Sequence, residues 1–154
     1  MKTSAASRWE CLSRRLTLAL LLLSVLTFIF ANSLTPGAAS SQASGGIYAF
    51  LSRFFGFLPF FSHHFVRKAA HFCEYAVLGF LCALTPSVYL NGRKGAYPLA
   101  SLFSLAVAAT DELVQTGIAG RVGSGEDVFI DALGALFGFL LPILTFGLKR
   151  ITRK

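Results

Sequence analysis

Long apolar segments dominate this sequence, and a cluster of acidic residues lies between two of them. The stretch Asp111-Glu-Leu-Val-Gln115 is followed by Asp127 and Asp131 before the last apolar segment. A charged side chain at the centre of a membrane helix costs roughly 2.5–3.5 kcal/mol on insertion scales. These carboxylates therefore need polar partners, and we predict that they meet the polar patch between Arg67 and Glu74.

The composition is typical of a protein that crosses a membrane several times. Of the 154 residues, 55% are hydrophobic and only 14% are charged. The net charge of +7 does not indicate a nucleic-acid partner, because Lys and Arg occur in short runs beside the apolar segments. Cys11, Cys73 and Cys82 have neither metal-ligand spacing nor a disulfide framework, so we expect them to be packing residues.

Four segments are predicted to span the membrane as α-helices, which gives an all-α polytopic integral membrane protein. They cover residues 16–31, 66–84, 98–118 and 128–148. The first is short against the usual length of about 20 residues. Pro86 is predicted to end the second span, Pro98 to lie in the first turn of the third, and Pro142 to kink the fourth.

The connection between the first two spans carries most of the small polar residues. Residues 32–44 predict a loop, and Ser33, Ser40, Ser41 and Ser44 are interpreted as ordinary loop residues. Residues 47–61 are aromatic but broken by Gly and Pro, which predicts a short interfacial or re-entrant helix. His63 and His64 are then expected to be interfacial rather than catalytic.

The distribution of Lys and Arg predicts that both termini are cytoplasmic. Residues 1–15 form a cytoplasmic tail, residues 16–148 the membrane domain, and residues 149–154 a basic cytoplasmic tail. The ends of the spans that carry the polar residues then face outward. The basic start and the small residues at 38–40 also fit a cleavable signal peptide, which is an alternative for the first segment.

Helical spacing places the polar residues on shared faces. Lys68, His71 and Glu74 fall on one stripe of the second span, and Asp111 and Gln115 are one turn apart on the third. On the fourth span, Asp127 and Asp131 continue into Gly134 and Gly138, a small-xxx-small face that permits close helix packing. The depths of Glu74, Asp111 and Asp131 below the outer ends are similar, which predicts one shared pocket.

Three interpretations of this pocket remain open. The first is structural, with ion pairs and hydrogen bonds that hold the helices together. In the second, Arg67, Lys68 and Arg121 bind the phosphate of a lipid headgroup. In the third, His71 is an acid–base or nucleophilic group oriented by Glu74 or Asp111, and the other carboxylates are able to hold a divalent metal.

Two residues near the pocket have simpler alternatives. Glu112 is interpreted either as a site residue or as an ion-pair partner of Lys68 or Arg121. Ser124, with Gly125 after it, fits an N-cap for the fourth span as well as a ligand contact.

These stretches resemble the VanZ-like family of small bacterial membrane proteins. The similarity lies in residues 67–75 (RKAAHFCEY), 110–115 (TDELVQ), 120–127 (GRVGSGED) and 131–134 (DALG), and the loop at residues 30–37 is also similar. It covers residues 16–148. The resemblance implies four membrane helices, a retained first helix and a polar site at the outer face of the bacterial inner membrane. The family is named after resistance to the glycopeptide teicoplanin.

The resemblance also implies a set of site residues. Carried over position by position, they are Lys68, His71, Glu74, Asp111, Glu112, Gln115, Arg121, Ser124, Asp127 and Asp131. Many relatives have His immediately before the Gln, where this chain has Val114, so a mechanism with two facing histidines would require His63 or His64. The family's similarity to enzymes of lipid headgroups favours a lipid or a lipid-linked cell-wall precursor as the partner.

Two functions follow as expectations. The leading one is an enzyme-like site in which His71, Glu74 and Asp111 are catalytic and the other site residues bind the phosphate-bearing lipid. The alternative is a non-catalytic protein that binds a cell-wall precursor or a partner and limits the access of glycopeptides. The oligomeric state and a metal requirement are left open, and a transporter is disfavoured because the chain has no internal repeat.

Overall fold

The computed structural model describes residues 5–121 and 123–151, with side chains from residue 8 to residue 145 apart from residue 122. The described residues form five α-helices and include no strand. The helices are α1 (Ala5–Ser33), α2 (Gly37–Phe55), α3 (His63–Tyr89), α4 (Ala96–Thr116) and α5 (Gly125–Ile151). The predicted all-α class is therefore confirmed. Lys2, Arg153 and Lys154, which contributed to the predicted orientation, lie outside the described residues.

Three of the described helices are long and apolar enough to cross a membrane, namely α1 from Arg8, α3, and α5 to Thr145. Their exposed side chains include Leu20, Leu23 and Phe137, which suits contact with lipid. The third predicted span, residues 98–118, coincides with α4, which is not among these three. A membrane protein is thus supported, whereas the number of spans stays a prediction.

The connection between the first two spans is more helical than predicted. The loop predicted for residues 32–44 is wrong from Gly37 onward, because α2 begins there and ends at Phe55. Pro36 precedes the first turn, where its missing N–H costs nothing, and the alanines that follow favour a helix. Ser44 remains compatible with the helix because its hydroxyl donates to the carbonyl of Ser40 (3.0 Å).

The second predicted span extends past its expected end. Pro86 lies inside α3, which continues to Tyr89, so the prediction that Pro86 ends the helix is wrong. Proline lacks the N–H that would bond four residues back, but its own carbonyl still accepts, and here the carbonyl of Pro86 accepts hydrogen bonds from the N–H groups of Leu90 (3.1 Å) and Gly92 (2.8 Å). These bonds close the C-terminus of α3.

Helix α3 is the centre of the fold, since it packs against each of the other four helices. The buried core around it contains Tyr75, Leu78 and Cys82 of α3, with Ala108 of α4 and Ala135 of α5. At the far end of α3, the Tyr89 hydroxyl donates to the carbonyl of Arg15 (2.6 Å) and fastens the beginning of α1. The polar residues lie at the other end of the molecule, near the beginning of α3, the end of α4 and the beginning of α5.

Three glycines bring α3 and α5 into backbone contact. A Cβ at Gly79 would overlap the carbonyl oxygen of Ala135. A Cβ at Gly134 would likewise overlap that of Phe72, and one at Gly138 that of Ala76. The predicted small-xxx-small face is therefore confirmed as the contact between these two helices. Because Phe72 follows His71, this close approach also brings the beginning of α5 next to His71.

Candidate functional site

Polar side chains from three helices meet at one end of the molecule. His71 lies near the beginning of α3, Asp111 near the end of α4, and Asp131 near the beginning of α5. Each contributes one nitrogen or oxygen atom, and the three atoms lie within 4.8 Å of one another. The predicted meeting of the two polar patches is therefore found in the structure.

His71 and Asp131 are in direct contact within this cluster. Nδ1 of His71 lies 3.5 Å from Oδ1 of Asp131, whose side chain is 0% exposed. Neither oxygen of Asp131 has a hydrogen-bond partner among the described residues, and the same holds for Nδ1 of His71. The pair is in contact, but 3.5 Å is longer than an ordinary N–H···O hydrogen bond.

Asp111 is held by one neutral donor on each of its oxygens. The Ser33 hydroxyl, from the end of α1, hydrogen bonds with Oδ1. Nε2 of Gln115, one turn further along α4, donates to Oδ2 (3.0 Å). Asp111 is only 2% exposed and Ser33 only 1% exposed. The carboxylate of Asp111 is thus positioned by groups that carry no charge of their own.

Glu74 lies one turn beyond His71 on α3 and faces the end of α1. Its Oε1 accepts a hydrogen bond from Nδ2 of Asn32 (3.3 Å). Glu74 is less buried than Asp131, and it lines the cavity described below.

Arg121 joins the connection between α4 and α5 to the end of α1. Its Nε donates to the carbonyl oxygen of Thr35 (3.1 Å) and its Nη2 to that of Asn32 (2.7 Å). A cation at the C-terminus of a helix is also favoured by the helix dipole. Burial lowers the pKa of Arg121 from its ordinary value, and the negative charge of Asp111 opposes this shift. The guanidinium remains charged at neutral pH.

Two neighbouring cavities open at this end of the molecule. The larger, of about 340 Å³, has among its polar lining residues His71, Glu74, Asp111 and Arg121. The smaller, of about 220 Å³, shares His71 and Arg121 with the larger one and adds Asp127. Ser40, Arg67 and Gln115 also line both cavities.

The larger cavity has both apolar and polar side chains in its lining. Its apolar lining comes from Phe28 and Ile29 of α1, Ile47 of α2 and Val66 of α3. Its polar lining comes from the ends of α1 and α4, the first half of α2, the beginning of α3, and Arg121. A cavity with this mixed lining fits an amphiphilic molecule better than a small polar solute.

The three remaining basic and acidic site residues form ion pairs with one another or with Glu126. Nη2 of Arg67 lies 3.8 Å from Oδ2 of Asp127 at the rim of the smaller cavity. Nζ of Lys68 lies 2.8 Å from Oε2 of the exposed Glu126, and Lys68 does not line either cavity. A phosphate-binding role for Lys68 stays a prediction that this placement does not support.

Glu112 and Ser124 bind each other rather than lining a cavity. Oε2 of Glu112 accepts from the backbone N–H of Ser124 (3.1 Å), and no ion pair with Lys68 or Arg121 is present among the described residues. The Ser124 hydroxyl accepts from the N–H of Glu126 (3.2 Å). Of the two interpretations of Ser124, the structure therefore supports the N-cap of α5.

The remaining histidines are not lining residues of the two cavities, although His63 contacts Ser44, which lines the larger one. Nε2 of His63 is 2.8 Å from Oγ of Ser44, which joins α2 to the beginning of α3. Neither His63 nor His64 lines either cavity. Among the described residues, His71 is the single histidine that lines these cavities. This placement does not support a mechanism that needs two facing histidines.

Several polar residues of this site were not predicted as functional. The interpretation of the serines as ordinary loop residues is wrong: Ser33 binds Asp111, Ser40 lines both cavities, and Ser44 binds His63. Asn32 binds Glu74. The signal available in the sequence was the resemblance of residues 30–37 to a family loop, because composition alone does not distinguish these residues from a connecting segment.

The end of α1 and the beginning of α2 are fixed to the connection between α4 and α5. The N–H of Gly37 donates to the carbonyl of Ala119 (3.1 Å). A Cβ at Gly37 would overlap the carbonyl oxygen of Gly120, which itself has φ +74°. This close contact keeps Arg121 and Ser40 on the same side of the cavities.

The comparisons with known proteins give one match. A protein-family model described as VanZ/LLP1 matches residues 18–146, which is most of the chain and includes every residue of the site. No match was found among curated proteins or among solved structures.

Proposed function

The chain belongs to the VanZ/LLP1 family, and on this basis we propose that its polar pocket acts on the headgroup of a phosphate-bearing lipid. The lipid is a phospholipid or a lipid-linked cell-wall precursor of the bacterial inner membrane. The proposed topology has four spans with both termini in the cytoplasm, so that the pocket faces outward.

The mixed apolar and polar lining of the larger cavity is the observation that carries this proposal. Phe28, Ile29 and Ile47 would contact the beginning of the acyl or prenyl chain. Arg67 and Arg121 belong to the polar lining, and guanidinium groups bind phosphate oxygens with charge-assisted hydrogen bonds. Arg67 has the more available charge, because the ion pair it forms among the described residues is 3.8 Å long and its side chain is 43% exposed.

His71 is the proposed reactive group. It lines both cavities, and an imidazole transfers protons efficiently near neutral pH. Sequence reasoning assigned its orientation to Glu74 or Asp111, but the carboxylate in contact with its Nδ1 is Asp131. Asp131 is therefore the proposed positioning residue, and Glu74 and Asp111 complete the negative side of the cavity.

The test compares the total lipids of cells that contain the wild-type protein, the His71→Ala variant or no protein. We expect His71→Ala to give the lipid profile of cells without the protein, because the substitution removes the proton-transferring group. His64→Ala is the matched control, since His64 lies outside both cavities, and it should give the wild-type profile. Identical profiles for the wild type and an accumulated His71→Ala protein would contradict the catalytic proposal.

A second candidate function is favoured by the ion pairs around the pocket. Arg67 and Lys68 already have acidic partners, and Arg121 is bound to backbone carbonyls. In this alternative the pocket binds a cell-wall precursor or a protein partner without converting it, and limits the access of glycopeptides such as teicoplanin. Unchanged lipid profiles together with a glycopeptide susceptibility that depends on the protein would favour it.

A further inference from the structure

The buried carboxylate of Asp131 has no evident partner apart from His71. Its side chain is 0% exposed, and both of its oxygens lack hydrogen bonds within the described ranges. A carboxylate removed from water in this way is costly unless a cation or several donors compensate for it. Asp111 brings a second buried carboxylate to the same place, so that the two negative charges also repel each other.

We propose that His71, Asp111 and Asp131 bind a divalent transition-metal ion, Zn²⁺ or Mn²⁺. One imidazole nitrogen with two carboxylate oxygens is a donor set that such ions accept, whereas Mg²⁺ and Ca²⁺ prefer oxygen alone. The charge of the ion balances the two carboxylates when the imidazole is neutral. The cation site does not depend on the identity of the proposed lipid.

The spacing of the donors fits this site. In tetrahedral zinc coordination with bonds of about 2.1 Å, neighbouring ligand atoms are about 3.4 Å apart. Nδ1 of His71 and Oδ1 of Asp131 are 3.5 Å apart, and all three donors lie within 4.8 Å of one another. A small movement of the Asp111 side chain would complete the coordination.

The surroundings of Asp111 are those of an oriented metal ligand. The Ser33 hydroxyl and the Gln115 amide hold its carboxylate, and such second contacts are common around protein metal sites. His71 and Asp111 also line the larger cavity, whereas Asp131 lies behind them. A free coordination position of the ion would therefore face the cavity, where an oxygen atom of a substrate or of water could bind.

The test measures metal binding by the full-length protein purified in detergent. After treatment with a chelator, the protein is given Zn²⁺ or Mn²⁺, and bound metal per chain and the thermal unfolding midpoint are recorded. We expect about one ion per wild-type chain and a higher midpoint in its presence. Asp131→Asn and His71→Gln should each weaken binding by at least about 100-fold, since even second contacts change metal affinity by 10–100-fold.

The control is Glu126→Gln, which removes one negative charge at an exposed position outside the cluster and should bind metal as the wild type does. Equal affinity in the wild type, Asp131→Asn and His71→Gln would overturn the proposal. So would a folded wild-type protein that binds neither ion, which would leave His71 and Asp131 as an ion pair. The lipid comparison does not decide this question. His71→Ala removes the imidazole whether its role is proton transfer, as proposed above, or metal binding.

Discussion

Replacing Gly138 by Leu is expected to prevent the folded protein from accumulating. The Cβ of any side chain at this position would overlap the carbonyl oxygen of Ala76, and the obstacle is backbone that no side-chain rotation removes. Helices α3 and α5 would have to separate along the contact that also includes Gly79 and Gly134. Overpacking a well-packed core costs typically 1–3 kcal/mol, and a displaced helix pair should exceed about 3 kcal/mol.

The measurement is the amount of monodisperse protein in detergent and its thermal unfolding midpoint. Gly125→Leu is the matched control, because a Cβ at Gly125 has no heavy atom within 4 Å. We expect Gly125→Leu to resemble the wild type and Gly138→Leu to be absent or strongly destabilised. A Gly138→Leu protein that accumulates and unfolds at the wild-type temperature would show that α3 and α5 are not in backbone contact.

Replacing Arg121 by Ala is expected to lower the free energy of unfolding by about 2–4 kcal/mol. The substitution removes two hydrogen bonds to the carbonyls of Asn32 and Thr35, and each bond to a charged donor contributes about 1.5–3 kcal/mol. The expected loss is smaller than the sum of these two contributions, because Arg121 is only partly buried and the loop gains conformational freedom without it. The end of α1 would keep the hydrogen bonds of Asn32 to Glu74 and of Ser33 to Asp111 but would lose its link to the connection before α5.

Arg121→Lys distinguishes the geometry of the guanidinium from its charge. A single ammonium cannot reproduce the Nε and Nη2 bonds together, so we expect only partial recovery of stability. Arg93→Ala is the control, because Arg93 is exposed in the turn after α3. Full recovery by Lys would mean that a positive charge suffices without the two-bond geometry. Equal effects of the Arg121 and Arg93 substitutions in detergent unfolding would mean that the bonds to α1 do not contribute.

The positions of most helices could be predicted because they depend on local sequence. The predicted segments 66–84, 98–118 and 128–148 lie within or close to α3, α4 and α5. The error at α2 arose because small polar residues suit a loop and a helix equally well until a neighbour is known. Here the neighbour is the connection before α5, where Gly120 contacts Gly37. The error at Pro86 arose because the bonds that close the helix come after it.

The depth of the site residues along their helices could be predicted from the sequence, whereas the contacts between particular side chains could not. The rise per residue placed Glu74, Asp111 and Asp131 at similar depths on three helices, and the structure brings donor atoms of Asp111, Asp131 and His71 within 4.8 Å. The rotation of each helix about its axis decides which pairs form, and that rotation depends on packing such as the contact of Gly134 with Phe72. Asp131 therefore contacts His71, whereas Lys68 binds Glu126 instead of a pocket residue.

The central claim is that the ends of separate helices meet in one site. Its most direct test is a disulfide between Ser33→Cys at the end of α1 and Asp111→Cys near the end of α4. Cys11, Cys73 and Cys82 are first replaced by Ala, and the link is detected by mass spectrometry after mild oxidation. Ser33→Cys paired with Thr110→Cys is the control, because Thr110 points about 100° away from Asp111 on α4. We predict a disulfide between positions 33 and 111 and none between 33 and 110. A folded protein whose thiols at 33 and 111 stay free after oxidation, or link no better than those of the control pair, would contradict this account.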